Sequence, residues 1–157
     1  MLRSAILFLS HSFTLAVGFA LGIYILPIIT APNAPDDQAI TVAQTDTMFT
    51  AEFVKDLPGS DFLHWGAGQV NISSTQISLL GELAPGPDYI LYLSPTYVDD
   101  RASFNANRRN MVAVGDVKTF DNFIVPVSSD INVADFNTVI VWCESFGAFI
   151  TSAQYQP

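Results

Sequence analysis

Two hydrophobic patterns divide the chain. Residues 5–29 are apolar almost without interruption, broken only by Ser10, His11, Ser12, Thr14 and small residues. At about 1.5 Å per residue, that run is long enough to cross a hydrocarbon core of about 30 Å with some tilt. Beyond residue 48 the period changes to two. Phe49, Ala51 and Phe53 alternate with Thr50 and Glu52, and Leu57-Pro58-Gly59 then breaks the run. Val70 and Ile72 flank Asn71, Ile77 and Leu79 flank Ser78, and Phe123, Val125 and Val127 alternate again. Tyr89-Ile90-Leu91-Tyr92-Leu93 and Met111-Val112-Ala113-Val114 are short apolar runs bounded by turn residues. The strongest strand signal, and the last one expected, is Val139-Ile140-Val141-Trp142-Cys143, β-branched and aromatic up to the cysteine. Outside residues 5–29 no apolar stripe of helical period persists for three turns; a short turn is expected only near residues 132–136.

Many short strands separated by Gly, Pro, Asn and Asp clusters predict an all-β fold, an antiparallel β-sandwich preceded by one N-terminal transmembrane helix. The expected division is an anchor over 1–31, a linker over 32–47 and one domain over 48–157. The linker reading rests on Pro32, Pro35, Asp36, Asp37 and the polar run Gln44-Thr45-Asp46-Thr47. An anchor is favoured over a cleaved signal peptide, because the apolar run exceeds the usual about 7–15 residues and Ala31 and Ala34 are each followed by proline.

Charge sets the expected orientation and removes one class of partner. Arg3 precedes the apolar run, and all fifteen acids follow it. The positive-inside rule then predicts a single-pass protein with its N-terminus cytoplasmic and its domain on the periplasmic or extracellular side, held by membrane lipid around residues 5–29. Beyond Arg3, five basic residues stand against fifteen acids, a formal charge of −10. Nucleic acid and anionic head groups select Lys and Arg, so nucleic-acid binding is excluded as a function class. Gly18 and Gly22 form a GxxxG spacing, which allows helices to approach closely but is common in membrane helices.

Cys143 is the only cysteine. In an oxidising compartment a lone thiol is either sealed in a core as a small apolar side chain or kept for thiol chemistry or ligand binding. By period two it shares a face with Val139 and Val141, while Trp142 shares the other with Ile140 and leads into Glu144. A strand apolar on both faces is either central and covered on both sides, or meets a partner or ligand on one of them. Glu144, if close, would raise the thiol's pKa. No Gly-x-Ser-x-Gly elbow, phosphate loop or His-Glu-x-x-His string is present.

At this level of detail the chain resembles the DM-thirteen domain family, a proposed electron-transfer domain of membrane-anchored and cell-surface proteins. The resemblance runs from Gly59 to Tyr155. It is carried by His64-Trp65-Gly66-Ala67-Gly68, by Pro85-Gly86-Pro87-Asp88 leading into an apolar strand, by Val114-Gly115-Asp116, and by Val139-Ile140-Val141-Trp142-Cys143 with Phe146. It implies a β-sandwich-like domain whose cysteine, here Cys143, acts in redox chemistry as a bare thiol or as a ligand for a group such as haem; the family's histidine corresponds to His64. Many members adjoin other domains, so here the electron partner is expected to be a separate electron-transfer or cell-surface protein.

The residues constrain that implication. Covalent haem needs a Cys-x-x-Cys-His string, which one cysteine excludes. Noncovalent haem needs an axial donor, for which His64, Cys143 and Met111 are the candidates. His64 reads equally as a strand-start histidine bonded to a backbone carbonyl. Zinc is disfavoured, since His64 and Cys143 leave only carboxylates to complete a tetrahedron. Three function classes remain: an extracytoplasmic redox accessory domain using Cys143, a non-catalytic binding or scaffold module with a buried structural cysteine, and a noncovalent haem or small-ligand carrier.

Overall fold

A computed structural model describes residues 2–157. The apolar run forms one helix, α1 (Leu2–Thr30), with no buried residues and with length and apolarity sufficient to cross a membrane. Pro27 lies in its last turns, where few helical hydrogen bonds remain to be lost.

The segment expected as a linker contains a short helix, α2 (Asp37–Ala43). Asp36 caps it by accepting from the backbone N–H of Ala39. Ile40 and Ala43 are buried, and the segment is tied to the domain by Gln76 Nε2 donating to the Ala43 carbonyl and Asn122 Nδ2 donating to that of Pro35. These residues therefore pack on the domain, where a free tether was expected.

Among the described residues eight antiparallel strands follow, in two four-stranded sheets. They are β1 (Phe49–Phe53), β2 (Gly66–Ile72), β3 (Gln76–Leu83), β4 (Tyr89–Ser94), β5 (Val112–Val117), β6 (Asp121–Pro126), β7 (Thr138–Cys143) and β8 (Ala148–Gln154). One sheet has the order β1-β2-β3-β6, the other β5-β4-β7-β8. Between β4 and β5 lies a third helix, α3 (Arg101–Asn107). The chain is an all-β sandwich with an apolar N-terminal helix.

Alternation places Val70, Ile72, Ile77, Leu79, Leu91, Leu93, Val139 and Val141 in the core between the sheets. Backbone contact is closest where Gly68 faces Gly81 across β2 and β3. Gly68 has φ +132°, and a Cβ built on it would lie 2.3 Å from the Leu80 carbonyl oxygen. Neither strand can carry a side chain there. Asn71-Ile72-Ser73 has the spacing of a glycosylation acceptor, but Asn71 and Ser73 are both buried, which leaves no room for a glycan there.

β7 is not the final strand, since β8 pairs beside it and makes it central. Both of its faces are covered. Ile140 and Trp142 enter a second apolar cluster with Tyr92, Val98, Phe104 and Phe149. Phe104 of α3 stacks on Trp142 with centroids 3.8 Å apart and planes 6° off parallel, and Tyr92 meets Phe104 edge-on at 5.3 Å. A capping box starts α3: Asp100 accepts from the Ser103 N–H, and Ser103 Oγ accepts from the Asp100 N–H. The Asp99-Asp100 pair thus supplies a helix cap.

Candidate functional site

Cys143 is the last residue of β7, with Tyr89 opposite it on β4 and Ala148 opposite on β8. Its side chain faces the inner core and is 2% exposed. After it the chain turns through residues 144–147, closing with Gly147 at φ +55°, a left-handed conformation that suits glycine. Asp88 ties this turn to the β3–β4 loop, which crosses between the sheets: its carbonyl accepts from the Glu144 N–H at 2.9 Å, and its carboxylate from Ser145 Oγ at 2.7 Å.

The two tied turns and residues 63–64 surround a recess of about 300 Å³. Cys143, Tyr89 and Ile150 are its buried residues, while Leu63, His64 and Phe146 are its more exposed ones. Pro85, Gly86 and Pro87 form one side, and Ile23 and Tyr24 of α1 another. The Pro-Gly-Pro turn has little freedom to shift. A Cβ on Gly86 would lie 2.4 Å from the Tyr89 hydroxyl oxygen, and that hydroxyl donates to the Ala84 carbonyl at 2.9 Å.

Burial pushes the Cys143 thiol above its ordinary pKa. Backbone groups of Phe146, Asp88 and Ser145 pull it partly back, and the Asp88 charge adds to the rise. At neutral pH the sulfur is therefore an S–H and a weak nucleophile. Glu144 is not the cause. The strand turns its side chain to the opposite face, where Tyr92 donates to it at 2.5 Å and Arg108 Nη2 lies 2.8 and 2.7 Å from its two oxygens. Burial opposes the charge on Glu144, but the Tyr92 hydroxyl and Arg108 outweigh it and hold the carboxyl below its usual range. Burial, reinforced by Glu144, pushes the Tyr92 phenol up to about 12.

His64 lies in the loop before β2, and its partner is a carboxylate, not the backbone carbonyl that a strand-start histidine would use. Its Nδ1 stands 2.9 and 3.0 Å from the two oxygens of Asp61. Asp61 Oδ1 also accepts the N–H groups of Leu63 and His64, fixing the loop. Burial works against the Asp61 charge, yet the His64 hydrogen bond and these amides leave its carboxyl below the ordinary value.

Two of the three candidate donors, His64 and Cys143, border the same recess. Met111 packs against the second cluster, across the sheet from the thiol. Asp61, Tyr89 and Phe146 complete the surroundings of the site. The Asp61-x-x-His64 spacing was a usable signal for the first; the other two emerge only from strand pairing and the closing turn.

A family model described as Electron transfer DM13 matches residues 52–155, from β1 to the residue after β8. The chain belongs to this family. No curated protein and no solved structure matches it. In this DM13 domain both donors of the recess fall inside the matched region, while α2 and the side of the recess formed by α1 precede it.

The DM13 recess offers haem an axial donor in His64 but is otherwise a poor match. No Lys or Arg lines it to meet the propionates. Among the described residues no group of three or more His, Cys, Asp or Glu is placed to hold a metal ion.

Proposed function

We propose that this DM13 protein is a membrane-anchored, extracytoplasmic electron-transfer accessory domain whose redox site is the Cys143 recess. The observation that carries the reading is that the lone thiol, though buried, borders an apolar recess together with the Asp61–His64 pair. A purely structural cysteine needs neither an adjoining recess nor an oriented histidine. One cysteine cannot close an intramolecular disulfide, so electrons pass to or from a separate protein or a small carrier. α1 supplies the anchor, and Arg3 at its start with Asp36 and Asp37 after it support a cytoplasmic N-terminus.

The test is voltammetry of the full chain in a lipid film, wild type against Cys143→Ser. The wild type is expected to give a wave that the variant lacks. An identical wave in both, or none in the wild type, ends the redox reading. Protease accessibility of the C-terminus in cells stripped of any outer envelope, with the cytoplasmic membrane sealed, tests the orientation, and protection there rejects it.

A second reading has its own support. The 2% exposure and raised pKa of Cys143 favour a scaffold module in which the cysteine is filler. That reading expects a thiol unreactive toward small neutral reagents until the domain unfolds. Stoichiometric labelling of the folded protein removes it.

A further inference from the structure

The recess has properties that the thiol alone does not require, and together they define an occupant. Its lining is apolar and aromatic, with Tyr89, Phe146 and Tyr24 around it, and without Lys or Arg. The chain beyond α1 is strongly acidic. An anionic ligand has nothing to neutralise it here, and no carboxylate lines the recess to hold a cation, so the ligand is uncharged, and aromatic walls suit a flat ring.

Position supplies the second argument. α1 has 29 residues, about 43 Å at 1.5 Å per residue, against a hydrocarbon core of about 30 Å. With Ala5, the first residue of the apolar run, at the far interface, the core ends near Tyr24 and the last six or so residues (about 9 Å) stand beyond it. Ile23 and Tyr24, which line the recess, therefore fall at the near interface, with Ala20 just below it. Tyrosine suits this interfacial level. Leu63 and Phe146 on the recess are 41% and 53% exposed, and the neighbouring Phe62 is 86% exposed. A molecule dissolved in the bilayer reaches such an opening along the membrane surface without passing through water.

The third argument is the proton. Asp61 takes the Nδ1–H of His64, so in the neutral ring Nε2 is a bare acceptor. A bare acceptor suits a ligand hydroxyl and offers nothing to a ligand carbonyl.

We propose that the recess binds the ring of a membrane-dissolved quinol, the hydroquinone form of an isoprenoid quinone, with His64 Nε2 accepting one ring hydroxyl. The inference rests on the reading of this recess as the redox site and names its small carrier. Asp61 acts as a positioning residue, holding the tautomer.

The experiment is equilibrium binding of a short-chain benzoquinol and its quinone to the full chain in lipid nanodiscs, followed by tryptophan quenching. The wild type is expected to prefer the quinol by about fivefold to tenfold, the worth of one net hydrogen bond. His64→Phe keeps a ring but loses the acceptor, and abolishes the preference by weakening quinol alone. Asp61→Asn, on the same exposed loop, reduces it. Leu63→Trp fills the opening and weakens both forms more than about tenfold, the effect of losing a well-packed apolar contact. Thermal melts confirm that each variant is folded, and Asp61→Asn or Leu63→Trp decides the matter if His64→Phe is not. Absence of binding, equal affinity for both forms in the wild type, or unchanged binding in Leu63→Trp overturns the proposal. If quinol fails to bind while the Cys143-dependent wave persists, only the carrier assignment falls. If quinol binds but the wave is independent of Cys143, the redox reading falls and the ligand site stands.

Discussion

Replacing Cys143 with alanine separates the two functional readings through stability alone. The substitution deletes one sulfur from a side chain that is 2% exposed. The lost transfer free energy is comparable to that of a methylene or slightly more, about 1 kcal/mol. In a sealed core a cavity contribution of about 24 cal/mol per Å³ would be added. Here the sulfur borders a recess already about 300 Å³ in volume, so its removal widens existing space and adds little. The expected cost is about 1 kcal/mol, in the range of an Ile→Val change. Serine adds a hydroxyl whose burial costs about 1–3 kcal/mol when unpartnered. Backbone groups of Phe146, Asp88 and Ser145 surround that position, which places Cys143→Ser near the low end. Urea unfolding of the full chain in mild detergent, followed by tryptophan fluorescence, measures both. A loss above about 3 kcal/mol for Cys143→Ala would refute the reasoning, because the sulfur would then be filler in a closed core. Any functional loss in Cys143→Ser could not in that case be read as chemistry.

Four further outcomes test the frame around the site. Gly68→Ala is expected to destabilise the domain by at least about 2 kcal/mol, since it combines a left-handed φ with a Cβ inside the contact distance of the Leu80 carbonyl; a melt within about 0.5 kcal/mol of wild type would contradict this. Phe104→Ala, removing a fully buried ring stacked on Trp142, is expected to cost about 3–5 kcal/mol in the same assay. Tyr92 favours its protonated form in the fold, so its contribution is complete below the ordinary tyrosine value of about 10 and is lost as pH rises through about 12. An ultraviolet alkaline titration will show several late tyrosines, with Tyr89 and Tyr155 later still through burial, and Tyr92→Phe removes the one near 12. Glu144 has the opposite sense: its folded pKa is lowered, so its stabilisation is present above about 4.3 and fades as pH falls through the folded value. Arg108→Ala will flatten that acid limb by less than about 1 kcal/mol, because Arg108 is largely solvated.

Much of the sandwich was legible because its strands alternate or are continuously apolar. β1 runs over Phe49–Phe53 as the pattern predicts, and β7 ends at Cys143. β8 was not, for a physical reason. Ala148–Gln154 carries Thr151 and Ser152, which are buried, with the Ser152 hydroxyl donating to the Val98 carbonyl. Buried polar positions look like a solvated loop to a hydrophobicity pattern, because their tertiary surroundings are invisible to it. α2 and α3 were missed because each has seven residues, too short for a stripe. The Asp100-x-x-Ser103 capping pair ahead of Phe104 was the available signal for α3. At the site, His64 and Cys143 were legible as residue types, but their shared recess was not. It depends on the pairing of Tyr89 with Cys143 and on the loop tied by Asp61, both products of tertiary structure.

The double covering of β7 bears on how this site works and how it changes. Val141 and Cys143 are held by the inner core, Ile140 and Trp142 by the ring stack beneath α3, so the strand has no face on which to move. A group placed at the end of such a strand is held more exactingly than one on a loop. The exposed part of the recess is built otherwise. Leu63, His64 and Phe146 lie on two turns and are at least partly solvated, held by Asp61 and Asp88 rather than by packing. Substitutions at these positions therefore change what enters the recess at little cost in stability, whereas substitutions at Tyr89 or Ile150 fall on the core itself. If the recess binds a carrier, its selectivity resides in residues 61–64 and 144–147, and the buried thiol is the fixed point against which those turns position the ligand.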